Sequence, residues 1–189
     1  MQQFHTSPRI TTLKMPNYEF IVANVASHRE ELIELNVEYL SWVCTEIEAL
    51  FGVLANEIVG MPIRDYVLTV IDKVCGDPPP RGIFYLIKAD NQLAGLGGLR
   101  YLRPEVAEVK RLYVRPEFRG RKLGELTLNR LLDDARAFGY KHVCLDTGVF
   151  MKSAHRLYEA NGFSDCAAYE GVEVPSEFHS HWRFMERTL

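Results

Sequence analysis

The residues best suited by type and spacing to do chemistry are Arg119-Gly120-Arg121-Lys122-Leu123-Gly124. They follow an apolar run, Val109 to Val114, that reads as a strand, and they open a run, Glu125 to Phe138, that reads as a helix. The first N–H groups of a helix have no partner inside it, and the aligned peptide dipoles add positive potential there. A basic, glycine-containing turn at such a terminus is a natural anion site. The segment therefore predicts a site for a phosphate-bearing molecule.

Other constellations are weaker. Gly95-Leu96-Gly97-Gly98 lies inside a strand with no helix after it, so it is neither a dinucleotide fingerprint nor a P-loop. A sheet bend or a close contact explains it. His179 and His181 would share one face of a strand, but no third ligand stands near them in sequence, and no metal is predicted. Cys44, Cys75, Cys144 and Cys166 form no CxxC pair and read as reduced thiols of a cytosolic protein.

The elements that must position the basic turn follow from hydrophobic periodicity. Tyr18 to Val25 reads as a strand, His28 to Phe51 and Arg64 to Val74 as helices, and Gly76-Asp77-Pro78-Pro79-Pro80 as a loop. Gly82 to Lys88, Leu93 to Tyr101 and Glu108 to Val114 form an antiparallel meander. Arg121 to Phe138 is a helix that Gly139 stops. The strand Lys141 to Asp146 follows, then a helix from Met151 to Ala160 and strands Phe163 to Tyr169 and Phe178 to Arg187. The order β-α-α-β-β-β-α-β-α-β-β is that of an α+β fold on one mixed, mostly antiparallel sheet flanked by helices.

With 189 residues, 47% of them hydrophobic and 25% charged, the chain suits one domain, taken as residues 15–189. Residues 1–14 read as a disordered tail, basic and free of acids like a weak mitochondrial presequence, with Met15 as an alternative start. A net charge of −3 argues against a nucleic-acid partner. No apolar run reaches the roughly 18 residues of a membrane span. Cytoplasmic localisation is expected.

The order of elements, Arg119 to Gly124 after a strand, and Leu157-Tyr158-Glu159-x-x-Gly162-Phe163 near the end resemble the GCN5-related N-acetyltransferase (GNAT) superfamily from Tyr18 onward. The resemblance implies that acetyl-CoA is the cosubstrate. The family's loop reads Arg/Gln-x-x-Gly-x-Gly/Ala; Arg119 and Gly124 fit it, whereas Lys122 stands at the middle glycine. By similarity, the N–H groups of Arg119, Gly120, Arg121, Lys122, Leu123, Gly124 and Glu125 hold the pyrophosphate. Leu112, Tyr113 and Val114 pair with the pantetheine arm like an added strand. That pairing requires neighbouring strands to splay apart.

The resemblance also implies catalytic roles. A lysine-like amine has a pKa of about 10.4, so a base is needed to free its lone pair at neutral pH. Glu108, eleven positions before Arg119, matches the family's glutamate base, acting through a water; a water chain is the other source of a base. The Leu112 N–H would polarise the thioester carbonyl. Tyr158 would be the general acid, with Ala154 and Leu157 on the same helix face. Met151 replaces an asparagine common in the family. His155 and Arg156 are expected at the helix surface, Arg156 within reach of a coenzyme A phosphate.

The acceptor is expected to be a small-molecule amine. A protein or peptide amine, and a non-catalytic acyl-CoA-binding module, are the other readings. The helical first third carries Glu30, Glu31, Glu34, Glu38, Glu46, Glu48, Glu57, Asp65 and Asp72 against Arg29, Arg64 and Lys73, a charge that would suit a cationic acceptor, though a solvated helix face explains most of it. Many relatives form homodimers; the sequence shows no self-pairing signature.

Overall fold

The computed structural model describes residues 17–189; the tail expected over residues 1–14 lies outside the described residues. Seven strands form one sheet in the order β1-β2-β3-β4-β5-β7-β6. They are β1 (Tyr18–Val22), β2 (Ile83–Ala89), β3 (Gln92–Arg103), β4 (Val106–Val114), β5 (His142–Gly148), β6 (Ser164–Cys166) and β7 (Trp182–Thr188). Neighbours run antiparallel except β4 and β5, which are parallel because helix α4 (Leu123–Ala137) carries the chain back between them.

Helices cover both faces. Ile83 and Tyr85 of β2 point into a core built with Leu128, Leu131 and Leu132 of α4 and Tyr158 of α5 (Lys152–Ala160). Phe84 and Leu86, the alternate residues, enter a second core with Leu32, Ile33 and Leu35 of α1 (Arg29–Phe51) and Val67, Ile71 and Val74 of α3 (Ile63–Cys75). A strand buried on both sides needs a continuous apolar run, and Ile83-Phe84-Tyr85-Leu86-Ile87 supplies it. Gly52, at φ +70°, ends α1 with its N–H on the Glu48 carbonyl at 2.9 Å.

Three expectations change. A five-residue helix, α2 (Ala55–Val59), lies between the two expected ones and is too short to show a helical period. The strand expected at Phe163–Tyr169 pairs only at Ser164–Cys166. Its continuation leaves the sheet and brings Tyr169 and Glu173 onto charged groups of β3 and β4. The last strand starts at Trp182, because Ser176–His181 winds into a 3₁₀ turn.

Two details of β4 shape the region between β4 and β5. Leu96 pairs with Tyr113 and Gly98 with Lys110, so Arg111 and Leu112 together oppose Gly97. This is a β-bulge. Arg111 takes φ +55°, a left-handed conformation that costs a non-glycine residue about 1–2 kcal/mol. The extra residue shifts the strand's phase: Ala107, Val109 and Leu112 all face the α4 core, while Tyr113 faces the α1 core.

The second detail is the short parallel ladder. β4 and β5 are in register only at Val106↔His142, Ala107↔Val143 and Glu108↔Cys144. Beyond Glu108, β4 stays with β3 and β5 stays with β7, so the sheet parts between them. Gly95 allows β3 to follow β4 here, since a Cβ on it would lie 2.2 Å from the Tyr113 carbonyl oxygen.

Candidate active site

The gap between β4 and β5 holds a cavity of about 300 Å³. Val109 to Val114, apart from Lys110, border it on one side; Asp146 and the α5 residues Ala154, Leu157 and Tyr158 border it on the other. Tyr39 and Trp42 of α1 close it, and Arg119 and Gly124 stand at its end.

The basic turn is built as an open row of backbone donors. Residues Pro116–Phe118 form a 3₁₀ turn, and the Arg119 N–H closes it on the Pro116 carbonyl at 3.2 Å. The Arg119 Nε bonds the Val114 carbonyl at 3.1 Å, and its guanidinium lies 5.6 Å from the Trp42 ring centroid. Arg119 thus contributes its side chain, while its own N–H is already used. From Gly120 to Glu125 the N–H groups have no protein acceptor among the described residues; the next, of Leu126, bonds the Lys122 carbonyl at 3.0 Å.

Gly120 at φ +78° and Lys122 at φ +61° turn the chain into α4. The left-handed position at Lys122 is why glycine suits it; here a lysine accepts the strain and adds an exposed cation. A Cβ on Gly124 would meet only Leu157 Cδ2, at 3.7 Å, so the missing side chain leaves a groove between α4 and α5. Leu123 is 2% exposed and lends only its backbone to the turn. The Arg121 guanidinium already pairs with Asp90 at 2.7 Å, and the Glu125 side chain is exposed.

Tyr158 lies in the cavity wall, packed on Phe163 with ring centroids 5.9 Å apart. Its hydroxyl meets no protein partner among the described residues. Burial raises its pKa, so the phenol keeps its proton at neutral pH. Tyr113 lines the same cavity and stacks against Trp42 at 6.4 Å.

Glu108 has a setting unlike the one the resemblance implies. It is fully buried and borders neither this cavity nor the second one. Its carboxylate accepts from Arg100 Nε at 2.5 Å and from the Tyr169 hydroxyl at 2.9 Å, with Lys110 Nζ at 3.5 Å. The reason is strand periodicity: Glu108 and Lys110 share the face of β4 opposite Ala107 and Val109, so their charges must pair inside the protein.

A second cavity, of about 220 Å³, adjoins the first through Tyr39, Arg111 and Asp146, which border both. Asp146 sits on β5 opposite Lys110, accepting from Lys110 Nζ at 3.1 Å and from Trp182 Nε1 at 3.1 Å. Glu173 approaches Arg111 at 3.2 Å, Lys110 at 3.4 Å and Arg100 at 3.7 Å.

Asp146, Arg111, Tyr39 and Trp42 were not among the expected site residues. For Arg111 and Asp146 the one sequence signal is charge inside largely apolar strands, as in Val109-Lys110-Arg111-Leu112 and Leu145-Asp146-Thr147; Tyr39 and Trp42 read only as part of the apolar face of the first helix. Among the acids of the first helices, none borders the second cavity. Glu34 and Glu38 pair with Arg115, and Glu30, Glu48, Asp65 and Asp72 are exposed, so the solvated-face explanation covers them.

The histidines also differ from expectation. His155 is buried at 5% exposure, because its Nε2 bonds the Gly148 carbonyl at 2.9 Å and ties the β5–α5 turn together. Arg156 is exposed, as expected. His179 bonds the Val174 carbonyl and His181 stacks on Phe51, both from the 3₁₀ turn and not from a strand. Among the described residues there is no cluster of three His, Cys, Asp or Glu able to hold a metal, and no helix long and apolar enough to cross a membrane.

The sequence model of the acetyltransferase (GNAT) family matches residues 58–163. An uncharacterized N-acetyltransferase of Schizosaccharomyces pombe is 37% identical over 101 residues, 52% of this chain and 61% of that protein. The chain thus spans about three fifths of that relative's length. The PaiA N-acetyltransferase from Thermoplasma acidophilum, solved in complex with coenzyme A, has a TM-score of 0.65 at 20% identity, over 92% of this chain and 99% of that one. A putative acetyltransferase from Salmonella typhimurium, solved with acetyl-CoA, has a TM-score of 0.59 at 17% identity, over 92% of this chain and 94% of that one. At these identities the two structures share the fold with this chain.

Proposed function

Since this chain belongs to the acetyltransferase (GNAT) family, we propose that it moves an acetyl group from acetyl-CoA directly to the primary amine of a small molecule. The observation that carries this is the parting of β4 from β5 after Glu108↔Cys144, beside a helix start with free N–H groups. The N–H groups of Gly120 to Glu125 hold the pyrophosphate, with Lys122 adding charge. The freed edge of β4 at Leu112, Tyr113 and Val114 takes the pantetheine arm by main-chain hydrogen bonds, and the Leu112 N–H meets the thioester carbonyl.

The amine enters through the second cavity and meets the thioester where Asp146 borders both. Asp146, directly or through a water, receives the ammonium proton. The Tyr158 phenol donates toward sulfur as the thiolate leaves. Glu108 acts as a positioning residue, holding Lys110, and through it Asp146. A cavity of about 220 Å³ suits a small acceptor better than a polypeptide. The four free thiols suit the reducing cytoplasm.

The test is calorimetry with coenzyme A followed by thiol release from acetyl-CoA across an amine panel. Binding with acetylated product is the expected result. Tight binding without product would make the chain an acyl-CoA sensor, and no binding would remove the proposal altogether.

A further inference from the structure

The guanidinium of Arg111 is buried, with its side chain 8% exposed, yet it is underused. Only Nη2 meets an acceptor, Glu173 Oε2 at 3.2 Å, and Nε is enclosed without any partner among the described residues. Buried donors are almost always satisfied, so an orphan here points to an acceptor that a ligand would bring. The left-handed bulge at φ +55° is what aims this side chain at the junction of the two cavities.

The rest of the second cavity is mostly apolar, walled by Leu40, Val43, Ile47, Ile58 and Phe178, with Tyr66 beside them. Its charges gather at the junction with the first cavity. Counted as a group, the buried cluster there balances: Arg100, Lys110 and Arg111 against Glu108, Asp146 and Glu173. A bare ammonium would add an uncompensated charge to this poorly solvated place, whereas a zwitterion would add none.

We infer that the acceptor is an α-amino acid with an apolar side chain, its carboxylate on Arg111, its ammonium beside Asp146 and its side chain among Leu40, Val43, Ile47 and Phe178. This rests on the acetyl-transfer function proposed above and names its substrate class. In the reaction the amine nitrogen bonds the acetyl carbon and the C–S bond breaks. Of the two protons the ammonium gives up, one is released to solvent and the other is balanced by protonation of the sulfur. The product is an N-acetyl carboxylate without the ammonium, and Asp146 no longer attracts it.

The test compares L-leucine and L-phenylalanine with isoamylamine and phenethylamine, which lack only the carboxylate, by thiol release and mass spectrometry on the wild-type protein. The amino acids should show kcat/KM at least tenfold higher. In Arg111→Lys, KM for leucine should rise at least tenfold and the preference should collapse, with coenzyme A affinity within twofold of wild type. Decarboxylated amines that match or exceed the amino acids would overturn the inference while leaving acetyl transfer standing. So would acetylation of other amines alone. A variant that loses coenzyme A affinity but keeps the preference would place Arg111 on the pantetheine side and overturn the inference as well. Absence of coenzyme A binding by the wild type would defeat both proposals together. The wild-type comparison requires no variant to fold.

Discussion

Lys110 Nζ lies 3.1 Å from Asp146 Oδ2, and this pair bridges β4 and β5 beyond the last residues at which the two strands are in register. The main chains part there, yet the side chains still meet. Asp146 is thereby held at the border of both cavities. Asp146→Asn should lower kcat by about a hundredfold or more while leaving coenzyme A affinity intact. Stopped-time acetylation assays with calorimetry decide it; near-wild-type kcat would move the proton acceptor elsewhere.

Tyr158 has a hydroxyl without a protein partner among the described residues and a ring packed in the α4 core. Removing the oxygen should therefore cost little stability. Tyr158→Phe should reduce turnover by roughly a hundredfold, with unfolding midpoint and coenzyme A affinity nearly unchanged. Full turnover in the variant would reduce Tyr158 to a packing residue.

Lys122 occupies a left-handed position, at φ +61°. Lys122→Gly relieves strain of about 1–2 kcal/mol but makes the unfolded chain more flexible, so a net gain of at most about 1 kcal/mol is expected. The same change removes a cation from the proposed phosphate site and should weaken coenzyme A several-fold. Opposite movements of urea midpoint and affinity are the diagnostic result. A variant that binds the coenzyme as tightly as wild type would show that the lysine's charge plays no part.

Burial alone would push the Glu173 carboxyl up, but Lys110, Arg111 and Arg100 outweigh it and hold the pKa at about 2. An unfolded chain protonates the same group at an ordinary value of 4.5. The unfolded state thus takes the proton first as pH falls. Stability from this group is complete above about pH 4.5 and is lost between there and about pH 2, on the order of 3 kcal/mol. Urea unfolding across that range should show the loss, and Glu173→Gln should flatten it.

Glu108 separates structure from catalysis. Glu108→Gln strips Arg100 of its nearest carboxylate and should cost about 3 kcal/mol of stability. The pH profile of the remaining activity should keep its shape. A profile in which activity recovers as pH rises would instead identify Glu108 as the base.

Much of this protein was legible in the order of its residues. Apolar periodicity located most of the strands and helices, because burial on one or both faces imposes a period of two or 3.6 on the sequence. The turn from Arg119 to Gly124 announced most of its free donors, since a helix start leaves its N–H groups unpaired wherever it occurs; the Arg119 N–H, taken by the Pro116 carbonyl, is the exception. The glycines Gly95, Gly97 and Gly98 announced a close contact, which proves to be the Tyr113 backbone at Gly95 and the Phe84 ring at Gly98. These are local properties, set by neighbours in the chain.

What lay beyond reach depends on residues far apart in sequence. The bulge at Arg111 has no glycine to mark it, and only pairing with β3 shows that a residue is in excess. The burial of Glu108 needs Arg100, eight residues away, and Tyr169, 61 away. Tyr169 stands where a strand was expected and Glu173 just past its end, both drawn away from the sheet by charged groups on other strands. Asp146 reads as one more acid until β4 and β5 part around it. Partners for buried charges are chosen by three-dimensional proximity, and sequence spacing carries no record of that choice.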